Sequence, residues 1–133
     1  MKYRYFDHTA DIVFKAYGKN LEEQFSNAAL ALFGVMIDPS KVKAVTTFKI
    51  HVEGKDEQAL LYNFLEELLY LLSAKFFLLS SVISLTIKKN ILDAEIIGDI
   101  INDSYTIEGV EVKAVTYNDM KIEKNYVQVV LDI

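Results

Sequence analysis

The chain contains no cysteine and no tryptophan, one proline and five glycines among 133 residues. Without cysteine there are no disulfides, no thiolate zinc sites and no thiol nucleophile, which fits a cytoplasmic protein. So little proline and glycine leaves no flexible linker, and the expectation is one domain over residues 1–133. No internal repeat interrupts it. Met1, Lys2, Tyr3, Arg4 and Tyr5 open the chain without an apolar run of signal-peptide type. The most apolar region, residues 59–87, is broken by Glu66, Glu67 and Lys75. Its longest uncharged piece, residues 76–87, is too short to span a bilayer, so no membrane role is expected. P-loop, G-x-G-x-x-G, EF-hand and G-x-S-x-G patterns are also missing, and nucleophilic catalysis has little to support it.

What is present is apolar and aromatic. Hydrophobic residues make up 52% of the chain, with eight Tyr and eight Phe, enough for a packed core. The formal net charge is −5. Direct binding to a phosphate backbone is not the default for such a chain, because it needs clustered Lys and Arg. A basic protein partner is favoured instead, although the same charge also serves plain solubility.

Periodicity gives an α+β reading: two helices packed on a largely antiparallel β-sheet. Residues 3–6 and 12–17 read as strands. In the second, Ile12, Phe14 and Ala16 share one side, and Val13, Lys15 and Tyr17 the other. Asn20 is a candidate N-cap for a helix over 21–36, with Glu22 and Glu23 in its first turn and one apolar face at Leu21, Phe25, Ala28, Ala29 and Leu32. Residues 45–53 alternate as a half-buried strand. Asp56 caps a longer helix, residues 57–77, apolar nearly all round and therefore central to the fold. Its only polar stripe is Asn63, Glu66, Glu67 and Tyr70, an exposed edge or the wall of a cleft. Residues 82–88 and 92–97 form a hairpin about Lys89 and Asn90. Residues 98–104 read as loop. Residues 111–117, 120–123 and 126–133 read as strands, interrupted at Asn118 and Asp119 and turning at Lys124 and Asn125.

Chemistry concentrates at the two ends. Asp7, His8 and Asp11 fall within five residues near the start, and Asp132 lies one position from Ile133 at the other end. Both ends look built into a sheet, so the expectation is that they meet in a small acidic site. Carboxylate oxygens suit calcium or magnesium, and a histidine would add affinity for manganese or zinc. The terminal carboxylate of Ile133 is a further oxygen donor. The competing structural reading makes the aspartates turn or cap residues and His8 a satisfied structural histidine. Lys113, between Val112 and Ala114, must reach solvent or pair with a carboxylate such as Asp11 or Asp132.

Taken together, several stretches resemble the archease family over essentially the whole chain. They are Asp7-His8-Thr9-Ala10-Asp11-Ile12, Leu65-Glu66-Glu67-Leu68-Leu69-Tyr70, Glu111-Val112-Lys113-Ala114-Val115-Thr116-Tyr117 and Val129-Val130-Leu131-Asp132-Ile133. The resemblance implies a non-catalytic activator of the RtcB-type RNA ligase, which seals tRNA halves in splicing and repairs broken RNA. The activator promotes guanylylation of the ligase by GTP and multiple turnover, and meets tRNA only through the ligase. It further implies a metal site at Asp11, Asp132 and Ile133, an important lysine at Lys113, and supporting roles for His8 and Glu67; Asp7 is then structural. The chain departs from the family's frequent histidine after the Val-Thr-Tyr run, carrying Asn118 there. Two rival readings are a metal-dependent phosphoester enzyme and a chaperone-like binding module without an essential metal.

Overall fold

The computed structural model describes residues 1–8 and 10–133, with the side chains of all of these except Asp7 and His8. The chain runs β1 (Tyr3–His8), β2 (Asp11–Tyr17), α1 (Leu21–Gly34), a single 3-10 turn (Pro39–Lys41), β3 (Thr46–Glu53), α2 (Glu57–Lys75), β4 (Phe77–Lys88), β5 (Ile91–Ile100), β6 (Ala114–Ile122) and β7 (Tyr126–Asp132). The α+β expectation holds, but the strands form two antiparallel sheets. Sheet A has the order β1-β2-β7-β6 and sheet B the order β3-β5-β4. Each helix packs on strands of both sheets, and among the described residues no strand of one sheet packs on a strand of the other. The helices are therefore the filling between two sheets, whose other faces point outward.

This layering explains why α2 is apolar nearly all round. Leu60, Leu61, Phe64, Leu65 and Leu68 are fully buried between the sheets. The same holds for α1, for which one apolar face was expected. Ala31 and Phe33 are buried along with Phe25, Ala28, Ala29 and Leu32, and so are two polar residues, Gln24 and Asn27. Their amides donate to main-chain carbonyls: Asn27 to Tyr17 (2.7 Å), Gln24 to Gly18 (3.2 Å) and Lys124 (2.9 Å). These bonds fasten α1 to the end of β2 and to the β6–β7 turn, replacing the water that burial removes.

Local chemistry sets the element ends. The side chain of Asn20 accepts from the Glu23 N–H (2.9 Å) and that of Asp56 from the Ala59 N–H (2.8 Å), so both expected N-caps are in place. Helix α2 stops at Lys75, earlier than its apolar run suggests. Phe76 takes a left-handed conformation (φ 56°) and turns the chain directly into β4. Lys89 and Asn90 both have positive φ (51° and 61°), the geometry of a two-residue hairpin turn between right-twisted strands. The expected break at Asn118 and Asp119 is instead a bulge within β6, with Asp119 at φ 48°.

Candidate metal centre

Strand β2 has neighbours on both sides, β1 and β7, and both pair with it antiparallel. The β2–β7 register is unbroken from Tyr17↔Tyr126 to Asp11↔Asp132. That register is fixed by the core: Ile12, Phe14 and Ala16 lie opposite Leu131, Val129 and Val127, and a slip of one residue would turn this set to solvent. Packing of six apolar side chains thus brings two aspartates face to face across more than a hundred residues of sequence. Directly opposed residues of an antiparallel pair have Cβ atoms roughly 4.5–5.5 Å apart and point to the same side of the sheet.

Two carboxylates in that relation fit one hard cation, whose oxygen ligands lie at about 2.3–2.6 Å. Asp11 is half-buried and Asp132 exposed, so water can complete the coordination. Among the described residues no group of three His, Asp or Glu side chains converges here, and the main-chain oxygens of Ile133 follow Asp132 directly in the chain. His8 is the register partner of Asp11 on β1, but its side chain lies outside the described residues, as does Thr9.

The other expected residues are distributed around this pair. Lys113 reaches it through the main chain: its N–H donates to the Asp132 carbonyl (2.8 Å). Its ammonium is in none of the ion pairs among the described residues, so of the two alternatives it reaches solvent rather than pairing with Asp11 or Asp132. Instead Lys113 is exposed and lines an open groove of about 640 Å³, together with Glu66, Tyr70 and Glu111. Glu67 lines a neighbouring groove of about 380 Å³ with Glu53, Asn63, Glu66 and Tyr70, rather than the carboxylate pair. The polar stripe of α2 is therefore both an exposed edge and the wall of two open grooves. Beside it Tyr62 stacks on Tyr117, ring centroids 4.3 Å apart. A hydrogen bond to Glu66 holds the Tyr62 hydroxyl pKa up, while burial and then the charges of Asp56 and Glu66 raise that of Tyr117.

One cluster escaped the sequence reading. On the outer face of sheet A, Arg4 lies over the Phe6 ring (5.0 Å), and the Lys15 ammonium sits between Phe6 (5.4 Å) and Tyr126 (4.6 Å). The only sequence signal for it is the alternation of Arg4 with Phe6 and of Lys15 with Tyr17, legible once the strands are known to be neighbours.

The chain is similar to known proteins over nearly its whole length. The model of the archease protein family matches residues 3–133. The protein archease of Methanosarcina barkeri is 39% identical over 140 residues, which cover 99% of this chain and 96% of the relative. That of Thermococcus kodakarensis is 42% identical over 126 residues, 92% of this chain and 89% of the relative. A solution structure of Methanobacterium thermoautotrophicum protein 1598 superposes with a TM-score of 0.80 at 34% identity, covering 99% of each chain. By sequence over its length and by fold, the chain belongs to the archease family.

Proposed function

We propose that this chain is a non-catalytic activator of an RtcB-type RNA-splicing ligase, promoting guanylylation of the ligase by GTP and its multiple turnover. The observation that carries the reading is the Asp11–Asp132 register pair in a member of the archease family. Two like charges directly opposed across strands cost stability, and a divalent cation would offset that cost. Asp11, Asp132 and the main-chain oxygen of Ile133 would hold it; calcium suits these donors, with manganese or magnesium as alternatives. Such a cation would supply positive charge for phosphate oxygens at the ligase's nucleotide site. Asp11 and Asp132 fix where that charge sits, and the Lys113 N–H bond to the Asp132 carbonyl holds the last strand to the segment leading into β6. A net charge of −5 favours docking on a basic partner.

The test is a reconstituted assay of ligase guanylylation by labelled GTP, with the activator at sub-stoichiometric and equal concentrations. Asp11→Ala should abolish the stimulation and return the ligase to single turnover. Unchanged stimulation by a folded Asp11→Ala protein would overturn the reading. Phosphoester hydrolysis by the chain and divalent cation without ligase would replace it with an enzyme.

A further inference from the structure

The outer face of sheet A holds its two signs of charge apart. At one end Asp11 opposes Asp132; at the other, Arg4 opposes Lys15 across β1 and β2. Directly opposed cations cost stability as opposed carboxylates do. The cations are not neutralised: among the described residues neither Arg4 nor Lys15 is in an ion pair, and both lie against aromatic rings instead. Lys121, in register with Gln128 on the same face, adds a third positive charge. This is a local concentration of positive charge on a chain of net −5, on a sheet face that no helix covers.

We infer that this end of sheet A binds a short stretch of single-stranded RNA. A strand offers two chemistries at alternating positions, a phosphate and a flat base, and this face offers the complement of each. Arg4, Lys15 and Lys121 meet phosphates. Phe6 on β1 and Tyr126 on β7, half-buried on either side of Lys15, give bases a surface to stack on once Arg4 and Lys15 turn from the rings to the phosphates. A duplex would bring phosphates but no open base faces, so the rings select the single strand. The choice of RNA over DNA rests on the function proposed above; the strand-binding chemistry does not. The face is separate from the grooves beside α2, so a strand here leaves Lys113 and Glu67 open to a protein partner.

Fluorescence anisotropy with a labelled ten-nucleotide oligouridine, without ligase and in EDTA, tests the site independently of activation. Binding is expected at about 10–100 µM in low salt, and log affinity should fall against log salt with a slope of about −2 for three phosphate contacts. Tyr126→Ala should weaken binding about fivefold or more through lost stacking, and Lys15→Gln should weaken it and flatten the salt slope by about 0.7. Lys49→Gln, on the outer face of sheet B, should leave it unchanged, and circular dichroism checks that each variant is folded. Absence of binding, or binding indifferent to Lys15→Gln and Tyr126→Ala, would overturn the assignment. Equal affinity for oligothymidine would overturn the choice of RNA. A change in sedimentation of the chain alone in either variant would make this face a contact between copies and remove the RNA site. Unchanged ligase activation by Asp11→Ala with oligouridine binding intact would overturn the activator reading and leave this inference standing.

Discussion

The outer faces of the two sheets treat charge in opposite ways. On sheet B, opposite charges oppose each other in register: Lys49 faces Glu95, and His51 faces Asp93. On sheet A, like faces like: Asp11 opposes Asp132, and Arg4 opposes Lys15. Cross-strand pairs contribute roughly 0.2–1 kcal/mol, with the sign set by the charges, so sheet B uses its outer face for stability while sheet A gives some away. The metal and RNA sites proposed above both lie on sheet A, and sheet B is their counterpart in charge, although both sheets close on the same helices.

The largest perturbation removes the distinction. Phe64 is fully buried on α2, between the sheets, and stacks on Phe25 of α1 with centroids 6.3 Å apart. Phe64→Ala should cost about 3–5 kcal/mol. Because one helix layer serves both sheets, urea unfolding followed by circular dichroism and by tyrosine fluorescence should give coincident transitions in the variant as in the parent. Separate transitions would show that the sheets are independent units.

The two sheets also differ in how far the sequence reveals them. Sheet B is local where it matters: β4 and β5 turn about Lys89 and Asn90, and alternation in β3 sorts Ile50 from His51. The hairpin and the faces of β3 are legible from those residues alone. The start of β4 is not, because Phe77, Leu78 and Leu79 prolong the leucine-rich run of α2 and nothing in residue type signals the left-handed Phe76. In sheet A the strands are legible singly, but β2–β7 pairing joins opposite ends of the chain. Alternation says which side of each strand is apolar, not which strand lies beside it. The Asp11–Asp132 meeting was therefore an expectation from two matching termini, while the Arg4–Lys15–Tyr126 cluster, which needs three strands in register, had no signal strong enough to name. The division of the strands into two sheets was hidden for the same reason: an all-round apolar helix says that it is buried, not that two sheets bury it.

A smaller effect sharpens the contrast, because it acts on sheet A alone. With cation at a hundredfold excess over its dissociation constant, the parent chain should gain about 2.7 kcal/mol of stability. Asp132→Asn should lose that gain. In EDTA the same variant should be as stable as the parent or up to about 1 kcal/mol more stable, since one of two opposed charges is gone. Thermal unfolding with calcium, magnesium and manganese in turn, against EDTA, checks both signs. A variant less stable than the parent in EDTA would mean that the pair supports the fold and that the two carboxylates do not repel each other at a net cost.

The smallest effect belongs to sheet B. The His51 Nδ1 lies 2.7 Å from Asp93 Oδ1, and its Nε2 lies 3.6 Å from Glu53. The hydrogen bond to Asp93, then the charge of Asp93, raise the pKa of His51, with Glu53 adding to them. A histidine whose pKa is raised by folding stabilises the fold while it is protonated. The contribution of His51 should be complete below its unfolded pKa of about 6.5 and should fade as pH rises through the higher folded value. The ring is exposed, so salt should weaken the effect. An NMR titration should give His51 a midpoint above that of a free histidine, and Asp93→Asn should bring it down. His51→Gln identifies the resonance against that of His8. A His51 midpoint unmoved by Asp93→Asn would mean that the charges on this face do not sense one another. Sheet B could then no longer stand as the internally neutralised counterpart of sheet A.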